Sequence, residues 1–220
     1  MSSTRGILNK DEQQIQNNLV RLSQLSEHSI KTAVSALLNI DRRLAEQVIE
    51  NDTSINQLYN DIEQACISTI ATQQPVATDL RALVAGMHIA MELERIADHA
   101  AGIAKTVLQI ERIEGEDSIQ QVSYMSETCC IMLAKAIQAY VKRDVDTAKY
   151  IAHEDNRLDQ FQSDITQLAL ESMCDSAEAM HYNARLLWVV HSLERIGDRI
   201  TNICEQIVFI NTGIHCDLNG

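Results

Sequence analysis

A short acidic motif occurs twice in this chain, 100 residues apart, and restricts the possible folds more than any other pattern. The sequence L-E-R-I-A-D at residues 93–98 recurs as L-E-R-I-G-D at residues 193–198. Self-similarity at a fixed distance indicates two copies of one structural unit. In each copy a Glu and an Asp stand four residues apart, and on a helix such a pair lies on one face. We therefore expect two similar helical halves, each carrying a pair of acids on one face.

The composition favours an all-α fold. The 220 residues include one proline and seven glycines, and 45% are hydrophobic. The chain is rich in Ala, Leu, Ile, Glu, Gln and Arg, most of which are good helix formers. A formal net charge of −13 argues against binding to nucleic acid, which requires a basic face. Such a charge suits cations or basic protein surfaces instead.

Apolar residues recur every three or four positions in six segments, which indicates six long helices. The predicted helices cover residues 11–39, 41–74, 77–112, 118–143, 144–174 and 175–210. Pro75 ends the second helix and Asp144 caps the fifth. A capping box, Asp175-x-x-Glu178, opens the sixth, and Gly213 closes it. The simplest architecture is two tandem three-helix bundles, over residues 1–114 and 115–220, joined near the acidic break at 114–118.

No segment predicts membrane insertion or export. No stretch approaches the roughly 18 consecutive apolar residues of a membrane span, and the N-terminal residues contain no apolar signal core. The six cysteines show no C-x-x-C pairing, which favours free thiols over a zinc site or disulfides. We therefore expect a cytoplasmic protein.

The acids of the repeated motif interrupt apolar stripes. At about 100° per residue, Glu94 and Asp98 continue an apolar stripe along the third helix, formed by Leu80, Val84, Met87, Met91 and Ala101. A separate polar arc on that helix contains Arg81, His88, Glu92, Arg95 and His99. In the last helix Glu194 and Asp198 follow Leu187 and His191 on one line.

The second helix of each half repeats this arrangement. The run from Asp52 to Ile62 resembles the run from Asp155 to Ile165 at an offset of 103. Asp52 lies among apolar residues with Asn56 one turn on, and Asp155 does so with Asp159 one turn on. Two candidate sites follow, each with four oxygen-bearing side chains: Asp52, Asn56, Glu94 and Asp98 in the first half, and Asp155, Asp159, Glu194 and Asp198 in the second.

Carboxylates next to a hydrophobic core must be protonated, paired with cations or placed in a groove that water can reach. Arg95 and Arg195 are one source of neutralising charge, but each directly follows its Glu and so points about 100° away. A metal ion is therefore the favoured counter-ion. Ligation by oxygen alone suits Mg²⁺, Ca²⁺, Mn²⁺ or iron. His191 either adds a nitrogen ligand or is a packed, hydrogen-bonded residue.

These residues resemble the PhoU family, the accessory regulators of bacterial phosphate-specific transport. The resemblance rests on the repeated motif, on the run Q-Q-P-V-A-x-D-L-R at 73–81 and on the layout of two times three helices, and it covers residues 11–210. It implies metal binding through motifs with two acids four residues apart, at two sites, the ion being iron, Mn, Mg, Zn or Ca. Carried over by position, the matching pairs are Glu94 and Asp98, Glu194 and Asp198, and Asp155 and Asp159. Asp52 also matches, but Asn56 replaces the second carboxylate, so the first site has one negative charge fewer.

The resemblance further implies a regulator without enzymatic activity. Its expected partners are the ATPase subunit of a phosphate ABC transporter and a membrane-bound sensor histidine kinase. Through them it would restrain phosphate uptake and keep the phosphate-starvation response off when phosphate is plentiful. A symmetric homodimer is a further expectation.

Two other classes of function remain as alternatives. One is a metal-free helical adaptor for another transporter, whose acids only solvate the bundle. The other is a carboxylate-bridged di-iron enzyme, but only Glu178-x-x-His181 has the required spacing, and it is not repeated. The chain contains no nucleophile elbow, phosphate-cradling glycine loop or nucleotide fingerprint. The sequence thus predicts no catalytic residues and no direct binding of phosphate or ATP.

Overall fold

The computed structural model describes residues 2–111, 116–173 and 177–218, most of which are helical. The helices are α1 (Ser2–Asn39), α2 (Arg42–Gln73), α3 (Thr78–Val107), α4 (Glu116–Lys142), α5 (Val145–Glu154), α6 (Asn156–Ser172) and α7 (Ala177–Thr212). The predicted all-α fold with two sets of three helices is confirmed, and α5 and α6 together replace the predicted fifth helix. The predicted boundary at 114/115, residue Cys174 and the capping box that begins at Asp175 lie outside the described residues.

Local capping signals determine several helix ends. The side chain of Asp41 accepts a hydrogen bond from the Leu44 amide at 3.0 Å, and α2 begins there. Asp144 caps α5 in the same way, accepting from the Thr147 amide at 3.0 Å. These bonds satisfy amides that have no partner within the helix. At the other end of the chain α7 stops before Gly213, whose φ of 73° is the left-handed conformation that glycine adopts at helix ends.

Two helix ends differ from the prediction. α1 begins at Ser2 instead of residue 11. Leu8 is buried and lies seven residues before Ile15, so the apolar face of α1 starts earlier than the pattern indicated. α3 ends at Val107 instead of residue 112, and the turn that follows returns Ile110 to the core.

The helix predicted for 144–174 is interrupted at Asp155. The Asp155 amide bonds to the carbonyl of Ala152, three residues back, at 3.3 Å. A bond of this kind tightens the helix locally, and such turns mark the end of one α-helix before the next begins. In the first half α2 runs through Asp52 without interruption. The two halves are thus similar in layout but differ at the position of their first acid.

The halves pack against each other mainly along α3 and α7, and one hydrophobic core runs through both. The polar arc of α3 faces this interface. Arg81 Nε donates to the Ile210 carbonyl at 3.4 Å, and His88 Nδ1 lies 3.3 Å from Gln206 Oε1. The interface between the halves is therefore partly polar.

The thiols that the structure describes are free, and Cys66, Cys129, Cys130 and Cys204 are buried. Burial raises the pKa of Cys66 to about 12, so this thiol stays protonated. In the part of the chain described here, no helix combines the length and apolarity needed to cross a bilayer.

Candidate metal sites

The first acidic site joins α2 to α3. Asp52, Asn56 and Glu94 are partly buried and Asp98 is exposed. Asn56 Nδ2 donates to Asp52 Oδ2 at 3.3 Å. Burial, followed by repulsion from Asp98, raises the pKa of Asp52. Burial, followed by repulsion from Asp98 and Asp52, raises the pKa of Glu94. The three carboxylates thus share one electrostatic environment, as the sequence predicted for neighbouring helices.

Two oxygen atoms in this site lack hydrogen-bond partners. Asp52 Oδ1 and Asn56 Oδ1 are buried, and no donor among the described residues bonds to either. A buried acceptor without a partner costs about 1–3 kcal/mol. Because both atoms are oxygens on one helix face, a hard cation or a water bound to it would satisfy them.

The second site joins the α5–α6 junction to α7. Burial, followed by repulsion from Asp198 and Asp159 and more weakly from Glu194, raises the pKa of Asp155 to about 7. The Thr201 hydroxyl opposes this rise by donating to Asp155 Oδ2 at 3.4 Å. All four predicted residues therefore interact electrostatically.

Glu194 is the other perturbed acid of the second site. Burial, followed by repulsion from Asp198, raises the pKa of Glu194, while His191 and Arg195 work in the opposite direction. Glu194 Oε2 is buried and accepts no hydrogen bond from the described residues. It lies 3.3 Å from Nδ1 of His191, whose own side chain is exposed. His191 is therefore a neighbour of the site at its outer edge.

Arg195 forms an ion pair with one acid of the second site. Arg195 Nη1 lies 2.7 Å from Asp198 Oδ2, three residues further along α7. Arg195 points away from the preceding Glu194, but an arginine on a helix can reach the residue one turn ahead, which here is Asp198. In the first half the corresponding Arg95 is exposed and forms no ion pair with a described residue.

The second copy of the motif contains Gly197 where the first contains Ala97, and this difference determines how closely Asp155 approaches α7. A Cβ at Gly197 would lie 2.3 Å from Asp155 Oδ1 and 2.5 Å from Leu158 Cδ1. The buried Leu158 cannot move out of the way into solvent. The glycine therefore permits a packing distance that alanine would prevent.

We expect Gly197→Ala to destabilise the protein by about 1–3 kcal/mol, because the added methyl overpacks the contact with Asp155 and Leu158. The matched control is Gly86→Ala in α3, where the nearest atom to the new Cβ is 3.7 Å away. That control should be neutral or stabilising by up to about 1 kcal/mol. Thermal and urea unfolding would measure both variants. Equal stability of the two variants would contradict the close packing at Gly197.

The carboxylates come near each other without forming a closed cage. Among the residues described, no group of three or more His, Cys, Asp or Glu side chains is arranged to hold a metal ion directly. Each site is therefore open, with its oxygens spread over two helices. Mg²⁺ in particular is commonly bound through one or two carboxylates and keeps several waters, so the donor set fits a partly hydrated ion.

One acid that the sequence analysis left in the polar arc is buried between the halves. Glu92 Oε2 lies 3.4 Å from Arg199 Nη1 and accepts from Asn202 Nδ2 at 3.3 Å. A charged residue flanked by the apolar Met91 and Leu93 offered no local sign of this burial. A comparison of the two repeats does single out this pair. Ser192 occupies the Glu92 position in the second copy, and His99 occupies the Arg199 position in the first. The charged pair thus occurs in only one of two equivalent places.

Comparison with known proteins agrees with this architecture. The PhoU domain model matches residues 19–107 and again residues 122–207. The chain is 33% identical over 217 residues to the phosphate-specific transport system accessory protein PhoU homolog of Clostridium acetobutylicum, covering 98% of this chain and 99% of that protein. The crystal structure of the phosphate transport system regulatory protein PhoU from Streptococcus pneumoniae matches with a TM-score of 0.89 and 31% identity, over 96% of this chain and 99% of that one. PhoU from Pseudomonas aeruginosa matches with a TM-score of 0.88 and 29% identity, over 94% and 99% of the two chains. The chain therefore belongs to the PhoU family.

Proposed function

We propose that this chain is a metal-binding accessory regulator of phosphate uptake that acts through protein contacts in the cytoplasm. Relatives from Clostridium acetobutylicum and Streptococcus pneumoniae carry the name phosphate-specific transport system accessory protein PhoU homolog. The likeness extends over nearly the full length of both relatives, at 99% and 95%. This coverage supports a shared regulatory role and a function without catalysis.

Metal binding is supported by the unpartnered oxygens of the two sites. Asp52 Oδ1, Asn56 Oδ1 and Glu194 Oε2 are buried without hydrogen-bond partners among the described residues. Burial, followed by repulsion between the acids of each site, raises the pKa of Asp52 and of Asp155, and a cation between the acids would remove the repulsion. When bound, the ion would supply positive charge that holds neighbouring helices together. Its identity is open among iron, Mn, Mg, Zn and Ca.

The two sites should differ in affinity. Asn56 contributes a neutral oxygen to the first site, whereas the second has four carboxylates. The ion pair between Arg195 and Asp198 partly offsets this advantage. We expect the second site to bind more tightly once Arg195 swings away from Asp198. The Arg195 side chain is 39% exposed, which permits that movement.

The proposed partners are the ATPase subunit of a phosphate ABC transporter and a membrane-bound sensor histidine kinase, and the chain would act on both as a homodimer. Through these contacts it would restrain uptake and repress the starvation response when phosphate is plentiful. A net charge of −13 suits basic surfaces on such partners. The internal repeat offers two similar acidic faces from a single chain.

Metal binding can be tested with one pair of charge-matched variants. Glu94→Gln/Glu194→Gln removes one ligand from each site, and Glu46→Gln/Glu171→Gln removes two exposed acids elsewhere. Elemental analysis after purification without chelator should find metal in the wild type and the control but less in the site variant. At a hundredfold excess over the dissociation constant, Mn²⁺ should stabilise the first two by about 2.7 kcal/mol. Equal metal content and equal stabilisation in all three proteins would rule out these sites.

The link between metal and partner binding needs a separate measurement. Pulldown of the transporter ATPase and the sensor kinase from cell extract would compare the same three proteins. We expect the site variant to lose capture of both partners while the control keeps it. Equal capture by all three would show that the acidic sites are not the docking elements, whatever their metal content.

The ion pair between Arg195 and Asp198 favours one alternative, a helical adaptor that needs no metal. In such an adaptor, chelator would leave both the stability and the partner contacts unchanged. The di-iron enzyme has weaker support, since the site lacks a closed ligand group among the described residues. Iron-dependent oxygen consumption by the purified protein would be its signature.

A further inference from the structure

A cleft of about 750 Å³ lies between α3 and α7, at one end of the interface between the two halves. Its volume is within the range of about 300–1,000 Å³ of small-molecule sites. Among the described residues that line it, Asp98 is the one acid. The cationic residues in its wall are Arg95, Lys105 and Arg185, so the cleft is positive in a protein of net charge −13. Positive charge concentrated in a concave surface attracts anions.

The cations of the cleft are available to a ligand. Arg95 and Lys105 are exposed and form no ion pair with a described residue. Arg185 uses Nε to donate to the Gln109 carbonyl at 3.1 Å, which anchors the side chain. Its two terminal nitrogens have no partner in the described part of the chain. A guanidinium held in this way presents two parallel donors, the geometry that suits phosphate oxygens.

An aromatic ring forms another wall of the cleft. Trp188 is the one tryptophan of the chain and is 46% exposed. It packs against Gly102 of α3, where a Cβ would lie 2.5 Å from the indole Cη2. The glycine therefore lets the ring sit against the α3 backbone. An exposed indole beside cations is a surface on which a flat ring can stack.

The internal repeat provides a comparison for this cleft. At an offset of 100, Glu205 corresponds to Lys105, Ala85 to Arg185 and His88 to Trp188. Arg95 corresponds to Arg195, so the equivalent end of the interface keeps one of the three cations but lacks the other two and the indole.

The C-terminal part of the chain lies over the end of the interface that is equivalent to the cleft. Phe209 stacks on His215 with ring centroids 4.1 Å apart, and the Leu218 amide donates to Glu205 Oε1 at 2.9 Å. The C-terminal segment therefore covers it. Among the described residues, the open position at the Trp188 end therefore carries two cations and an indole that the covered end lacks, which the packing of two similar bundles does not by itself produce.

We propose that this cleft binds a nucleotide, with its phosphates on Arg95, Lys105 and Arg185 and its base against Trp188. The volume of the cleft exceeds what a free phosphate ion would fill. A purely inorganic ligand would also have no ring to stack on the indole. The sequence contained no nucleotide fingerprint because the site combines two helices that are about 80 residues apart, as the numbering of Lys105 and Arg185 shows. The cleft shares Asp98 with the first acidic site, but its cations and its indole are not among the proposed metal ligands, so this proposal requires neither metal binding nor the transporter partners.

The single tryptophan allows a direct test, because any change in its fluorescence reports on this cleft. ATP, adenosine and tripolyphosphate would be titrated separately into the purified protein, with isothermal calorimetry as the second readout. We expect ATP to bind more tightly than either part alone, and its binding to weaken as salt screens the charges. No binding of ATP at about 1 mM would overturn the proposal. Tripolyphosphate binding as tightly as ATP would also overturn it, since the base would then contribute nothing.

Charge-matched variants locate the binding. Lys105→Glu introduces the residue of the other half and should weaken ATP binding at least tenfold, on the scale of a lost hydrogen bond to a charged group. Lys10→Glu makes the same change on the exposed face of α1, outside the cleft, and should leave the affinity unchanged. Trp188→Ala should weaken binding about tenfold by calorimetry, from the loss of stacking. Circular dichroism would verify that each variant is folded. If folded Lys105→Glu and Trp188→Ala both bind ATP like the wild type, the cleft is not the site.

Discussion

Replacing Glu92 by Met is expected to lower the free energy of unfolding by about 3 kcal/mol, because it leaves a charged arginine between the two halves without its partner. The Glu92 side chain is 8% exposed and that of Arg199 is 16% exposed. Arg199 Nε already lacks a hydrogen-bond partner among the described residues. Water reaches the guanidinium only partly, so it cannot replace the lost carboxylate. Urea unfolding of the purified variant would measure the effect.

A double variant separates the lost interaction from the cost of a buried charge. Glu92→Met/Arg199→Met removes both charges and should recover most of the stability, since well-packed apolar residues often replace a buried ion pair without loss. A surface pair serves as the control: Lys31 and Glu27 are 60% and 26% exposed, and Glu27→Ala should cost less than about 1 kcal/mol. A double variant as unstable as Glu92→Met would contradict this account of the interface.

Without metal, Asp155→Asn is expected to make the protein more stable than the wild type at pH 8. In the folded state, burial and the surrounding acids raise the pKa of Asp155 from 3.8 to about 7. An acid with a raised pKa stabilises the fold below pH 4, and this stabilisation is lost as the pH rises through 7. One pKa unit corresponds to about 1.4 kcal/mol, so the cost at pH 8 is at most about 4 kcal/mol. We expect a destabilisation of about half this upper limit, because Asp159 is exposed and solvent screens its charge.

Chelator-treated samples would be unfolded in urea at several pH values between 4 and 8. The wild type should lose stability over this range, while Asp155→Asn should lose less, since an amide does not ionise. Asp164→Asn, an exposed acid on α6, is the control and should follow the wild type. Adding Mn²⁺ should reverse the order at pH 8, because only the wild type keeps all the proposed ligands. If Asp155→Asn is less stable than the wild type in chelator at pH 8, the burial of this carboxylate and its repulsion by the neighbouring acids do not dominate its effect on stability.

Much of the candidate site could be predicted from local pattern. A Glu and an Asp four residues apart on a helix must share a face, so Glu94 and Asp98 were paired by geometry alone. The match between the runs that begin at Asp52 and Asp155 placed two further acids on the neighbouring helices. Burial is the main cause of the raised pKa of Asp52 and of Asp155, and repulsion from the neighbouring acids adds to it. Which of these acids bind an ion stays a prediction.

Other features depended on contacts between distant residues. The ion pair between Arg195 and Asp198 depends on which rotamer a long side chain adopts, and a spacing of three residues permits it without requiring it. The helix break at Asp155 lies where this residue closely approaches Gly197, 42 positions later by the numbering. Neither the ion pair nor the helix break can be predicted from the residues next to it in the sequence.

The sequence by itself determined the helical class, the twofold repeat and the faces on which the acids lie, because helix periodicity is a local property of a few consecutive turns. The tertiary structure alone decided how the two halves meet. It buried Glu92 against Arg199, turned the polar arc of α3 toward α7 and opened the cleft beside Trp188 at one end of their interface. Each of these depends on which residues of one repeat face the other, and a pattern within one helix carries no information about its partner.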